Sequence, residues 1–103
     1  MTSVYTGIRD ADGRTFVDVD GRPLALRADA RHESSTAFDW GYQGRGAPAQ
    51  LALAILADHF ADDHMARRHF ERFLSAVVSL LPRQGWRMTG SEIDGALAET
   101  ARA

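Results

Sequence analysis

Apolar and polar positions alternate along the first 26 residues, and from residue 48 onward apolar positions recur at helical spacing. Val4-Tyr5-Thr6-Gly7-Ile8 is rich in β-formers and runs into Asp12-Gly13, a hairpin-turn dipeptide. Thr15 to Val19 follows, with Val17 and Val19 on one face and Phe16 and Asp18 on the other. Asp20-Gly21 gives a second turn, and Pro23-Leu24-Ala25-Leu26 a short third strand with its proline at the start. The pattern predicts a three-stranded antiparallel meander over 1–26 that needs a cover on one face.

Residues 27–47 show neither period and read as a long loop, with a brief extended stretch where Phe38, Trp40 and Tyr42 alternate. Three helices are expected after it. The first, 48–60, starts at Pro48 and is apolar nearly all round through Leu51, Leu53, Ile55 and Leu56, the mark of a buried helix. Asp62 is the expected N-cap of a second, 62–81, carrying Ala66, Phe70, Phe73, Leu74, Val77 and Leu81 at helical spacing and stopped by Pro82 and Gly85. Trp86-Arg87-Met88 reads as a short extended link. Thr89 and Glu92 then form a capping box before a third helix over 90–101. The expectation is an α+β fold in a single domain, 1–103, with 48–103 helical and Trp40 wedged between the layers.

Composition narrows the classes of function. In 103 residues, 45% hydrophobic and 25% charged, the chain has the balance of a globular domain rather than a disordered one. Without cysteine it has no disulfide, thiol nucleophile or cysteine zinc site. No leader-like or membrane-length apolar run is present, so a cytoplasmic, membrane-free protein is expected. Every one of its twelve cationic residues is arginine. Residues 1–63 hold ten acids against six arginines, a net of −4, and residues 64–103 hold four against six, a net of +2. No coherent basic face follows from that split, which argues against direct nucleic-acid binding and for a protein partner.

Gly41-Tyr42-Gln43-Gly44-Arg45-Gly46 runs G-x-x-G-x-G, lacks the lysine of a phosphate loop and follows antiparallel rather than parallel strands. Its stronger reading is a bent lead-in to the buried helix; the alternative is an anion or nucleotide site at Gly44-Arg45-Gly46 and the helix N-terminus. Asp10-Ala-Asp12-Gly13 and Asp18-Val-Asp20-Gly21 hint at calcium but lack the remaining oxygen ligands, so turn chemistry is the better account. His59, Asp63, His64 and His69 make no metal motif, and Ser34, Ser35, Ser75, Ser79 and Ser91 have no nucleophile-elbow setting. An enzyme using His59, Asp63 or His64 is therefore the weakest reading, and no cofactor or metal is expected. Arg67, Arg68, Arg72 and Arg83 read as a solvated helix face rather than a phosphate-contacting stripe.

The sharper candidate is acidic. Asp18 and Asp20 fall two apart on the face opposite Val17 and Val19, and Asp10 and Asp12 flank the adjacent turn. Like charges at that spacing repel, so a patch of Asp10, Asp12, Asp18 and Asp20 makes sense against a basic partner, with the Asp58, Asp62 and Asp63 corner as a second contact. The competing account is that hairpin turns simply favour aspartate.

The block "FDWGYQGRGAPAQLALAILADHFADD", with "VDGRPLALR" before it and "LPRQGW" after it, resembles a small family of bacterial and phage proteins, a domain of unknown function of about this size. The shared pattern is Tyr-x-Gly, V-x-V-D-G-x-P-L, F-x-W-G-Y-x-G-x-G-P-A-Q-L-A-L-A-I-L and L-P-x-x-x-W-x-L-T-x-x-E-I. Here Ala47 is inserted before Pro48 and Met88 replaces a leucine. The resemblance implies no reaction and no cofactor. Its phage setting implies a small non-enzymatic inhibitor of a host defence complex, of anti-CRISPR type, in which carboxylates stand in for nucleic-acid phosphates. The partner is then a protein, such as a nucleic-acid-binding subunit of a CRISPR effector, and the chain is expected to be a monomer or weak dimer.

Overall fold

A computed structural model describes residues 3–27, 29, 37–44 and 46–102, the Arg102 side chain apart. The elements run β1 (Val4–Arg9), β2 (Thr15–Val19), β3 (Arg22–Pro23), α1 (Ala47–Phe60), α2 (Asp63–Ala76), a 3-10 turn (Val78–Leu80), β4 (Gly85–Thr89) and α3 (Gly90–Arg102). The fold is α+β with three helices, as expected, but the antiparallel sheet has four strands in the order β3-β2-β1-β4. The stretch read as a link, Trp86-Arg87-Met88, is the middle of β4. It pairs along β1 from Val4↔Thr89 to Ile8↔Gly85, so β1 is a central strand.

Local chemistry explains both turns. The Asp10 carboxylate accepts the Asp12 and Arg14 amides, each at 2.9 Å, and Gly13 takes the left-handed φ of 84° that this turn needs. At the second turn Asp20 and Gly21 both have positive φ, 52° and 82°, which suits a tight hairpin. The third strand is shorter than expected. The Leu24 amide still donates to the Val17 carbonyl at 2.9 Å, and chain and sheet part beyond it, where the Leu24 side chain is buried in the core and the Leu26 carbonyl accepts from buried Gln50 Nε2 at 2.7 Å instead of from a strand.

Helix α1 is buried on every side from Pro48 to Ala57, which accounts for its nearly unbroken apolar run. It ends at Ala61, whose φ of 53° is left-handed. An alanine there is strained, and Ala61→Gly is expected to raise unfolding stability by about 1 kcal/mol in a urea titration. Asp62 caps α2 as predicted, accepting the His64 amide at 2.9 Å and that of Met65 at 3.2 Å. The helix stops at Ala76 rather than 81. Beyond it the chain tightens into the 3-10 turn, and the Val78 carbonyl accepts the Gly41 amide at 3.0 Å, which docks the aromatic loop. At α3 the capping box forms reciprocally, Thr89 N–H to Glu92 at 3.0 Å and Glu92 N–H to Thr89 Oγ1 at 3.2 Å.

Tyr5, Val17, Val19, Trp86 and Met88 face inward from the sheet and join Trp40, the α1 side chains, Phe70, Phe73 and Ile93 in one apolar core. The helices therefore stand behind one face of the sheet. No described element covers the other face.

Candidate interaction surface

The Phe38–Tyr42 segment contains no strand, and it is held by a lock at one end of the sheet. Trp40 is fully buried, lies edge-on to Trp86 with ring centroids 5.6 Å apart, and donates its indole N–H to the Pro82 carbonyl at 2.9 Å. The Arg9 guanidinium sits 5.0 Å over the Trp40 ring, bonds Asp39 at 2.6 Å and donates to the Arg83 carbonyl at 2.9 Å. Arg83 returns a bond to the Trp40 carbonyl at 3.2 Å. Burial works to raise the Asp39 pKa, yet the bonds from Arg9 and the Trp40 amide outweigh it and hold the carboxyl below its ordinary value. The polar groups of Arg9, Asp39, Trp40 and Arg83 answer one another. Asp39 and Trp40 are thus pinned to the end of the sheet, and neither the Arg9–Asp39 pair nor the Trp40 contacts carried a local signal in the sequence.

Of the alternative anion site, Arg45 lies outside the described residues. Gly46 sits at the α1 N-cap with φ 93° and offers no side-chain cap. Beside it opens a groove of about 410 Å³ lined by Arg9, Arg14, Thr15, Phe16, Phe38 and Asp39 among others.

The seven candidate acids are dispersed. Asp10 and Asp12 occupy the β1–β2 turn, whereas the pairing of Tyr5 with Val19 and Arg9 with Thr15 carries Asp20 to the opposite end of that hairpin. Six strand steps, from the level of Val4 to Asp10, or roughly 20 Å, separate the two ends. Asp20 accepts the Val4 amide at 2.9 Å, and Asp58 accepts the Tyr5 hydroxyl at 2.6 Å. Burial, first, and the carboxylates of Asp58 and Asp20 push the Tyr5 phenol far above its ordinary pKa. Asp62 is the α2 cap, and Asp63 pairs with Arg27 at 2.7 Å. Asp12 and Asp18 are the two whose carboxylates have no hydrogen-bond or ion-pair partner among the described residues.

Two of the three residues of the enzyme reading are engaged elsewhere. His59 bonds Asp94 of α3 at 2.7 Å, Asp63 bonds Arg27, and the exposed His64 stands at the start of α2. His69 is held below its ordinary pKa by burial and by Arg72 and Arg68. Among the described residues there is no group of three or more His, Cys, Asp or Glu placed to hold a metal ion. No helix of the described residues is long and apolar enough to cross a membrane. Ser34 and Ser35 lie outside the described residues.

What the sheet leaves uncovered is more specific. Its outer face carries Val4, Thr6 and Ile8 of β1, Phe16 and Asp18 of β2, and Arg87 of β4. Ile8 and Phe16 are direct cross-strand partners, and they are 55% and 49% exposed. An apolar pair in that position is a standing invitation to burial against something else. The alternation of Phe16 with Val17 had already set Phe16 and Asp18 on a common face, but which face the helices cover is decided by docking.

The described residues define a small α+β protein, a four-stranded antiparallel sheet backed by three helices, with an outer face that no described element covers. Residues 5–99 match the model of a family of unknown function, DUF6166, and the chain belongs to that family. No curated protein and no solved structure matches it.

Proposed function

We propose that this protein is a non-enzymatic binding module that engages a protein partner through the open face of its sheet. The observation that carries the reading is the exposed Ile8–Phe16 pair on a face that no described element covers. The phosphate-mimic form of the reading, with a nucleic-acid-binding subunit such as that of a CRISPR effector as target, rests on Asp12 and Asp18. Asp18 lies on the open face itself, so carboxylate and apolar contacts belong to one surface.

Placing a photo-crosslinking phenylalanine analogue at Phe16 in the producing cell tests this. Position 16 is expected to yield an adduct of one defined mass that the unmodified protein competes away. The same analogue at Leu80, 76% exposed beyond α2, is expected to yield none. Equal labelling from both positions, or none from position 16, overturns the proposal.

A further inference from the structure

The open face has a left-right asymmetry. Thr6 pairs with Asp18 on one side and Arg87 on the other, so carboxylate, threonine and guanidinium stand in one row across the sheet. The two charges lie roughly 10 Å apart, two strand spacings. Both side chains are exposed, and neither has an ion-pair or hydrogen-bond partner among the described residues. The next row reads Phe16, Ile8, Gly85: a large ring, an aliphatic chain and no side chain at all.

A two-fold axis laid along β1 over this face exchanges the β2 and β4 sides and preserves height along the strands. It sets Asp18 of each copy over Arg87 of the other, Ile8 over Ile8, and Phe16 over the bare backbone of Gly85. Charge meets opposite charge, and bulk meets a gap. A surface that is complementary to itself under one rotation is what an isologous dimer requires. Two sheets packed this way lie about 10 Å apart with strands nearly aligned.

We propose that the occupant of the open sheet face is a second copy of this chain, docked face to face with reciprocal Asp18–Arg87 pairs and each Phe16 seated over Gly85 of the other copy. The inference rests on the reading of this face as the contact surface and names its partner. The face is small beside the roughly 800 Å² per partner of a standard interface, so the dimer forms at high protein concentration and weakens with salt.

Sedimentation equilibrium over a concentration series reaching about 1 mM tests it. The average mass of the wild type is expected to climb from 11.3 kDa toward twice that value. Asp18→Arg alone, or Arg87→Asp alone, brings like charges together at both pairs and is expected to weaken association about tenfold or more. The double variant Asp18→Arg/Arg87→Asp restores both pairs and is expected to recover nearly wild-type association. All three variants are expected to keep the wild-type melting temperature, because these side chains make no contact that folding needs. A wild type that stays monomeric throughout overturns the dimer, as does a double variant no better than the singles. A monomeric chain whose position 16 still crosslinks to a different protein overturns the second copy and leaves the binding module standing. A monomeric chain with no adduct at position 16 overturns both.

Discussion

Trp40→Ala is expected to lower unfolding stability by about 3–5 kcal/mol, a large share of the about 5–15 kcal/mol that a domain of this size has. The indole is fully buried, and its removal deletes the edge-on contact with Trp86 and the bond to the Pro82 carbonyl together. It also strips the Arg9 guanidinium of the ring beneath it while the Arg9–Asp39 pair remains partly buried. Three elements lose their common anchor: the end of β1, the aromatic loop and the turn before β4. Tyr42→Ala is the informative control, since that ring is 43% exposed and is expected to change stability far less. A urea titration of both variants checks the pair. A Trp40→Ala protein within about 1 kcal/mol of wild type would show that the loop is held by its backbone bonds alone.

The parts of this fold that were legible in the sequence are those whose cause is local. Asp12-Gly13 and Asp20-Gly21 mark turns because their own backbone angles and carboxylates make them. Asp62 and the Thr89–Glu92 box mark helix starts because capping is a matter of three residues. Strand β4 was not legible, because five residues of alternation between two helices carry little weight and the partner, β1, lies at the far end of the chain. The end of α2 was hidden for a related reason. Val77 and Leu81 keep the helical period, but the Gly41–Val78 bond draws the backbone off the helix. The acids misled in another way. Asp10, Asp20 and Asp62 each accept backbone amides, and a composition-level reading cannot separate an aspartate that shapes a turn from one that meets a partner. The open face was half visible, since Phe16 and Asp18 were already opposed to Val17 and Val19. Exposure of Ile8 became visible only once pairing with β4 placed it in mid-sheet.

Gly7→Val is expected to destabilise the protein toward the upper end of the about 1–3 kcal/mol typical of overpacking, although valine is the better strand former. Gly7 is the centre of β1, paired with Val17 and Trp86, and its φ is not among the positive ones, so backbone conformation gives no reason for a glycine. The reason is the indole of Trp86. A Cβ built on Gly7 would fall inside van der Waals contact of three of its atoms, Cε2, Nε1 and Cζ2. The ring cannot swing aside, because Trp40 abuts it at right angles and it is buried; its Nε1 has no hydrogen-bond partner among the described residues. Glycine at position 7 and tryptophan at position 86 are therefore one packing decision. Trp86→Leu ends short of all three colliding atoms, at the cost of the lost ring. The double variant Gly7→Val/Trp86→Leu is expected to be more stable than the sum of the single effects by about 1 kcal/mol or more, since the valine fills space that the indole vacates. Urea titrations of the four proteins give that coupling directly. Strict additivity would mean that Gly7 is required by something other than the ring above it.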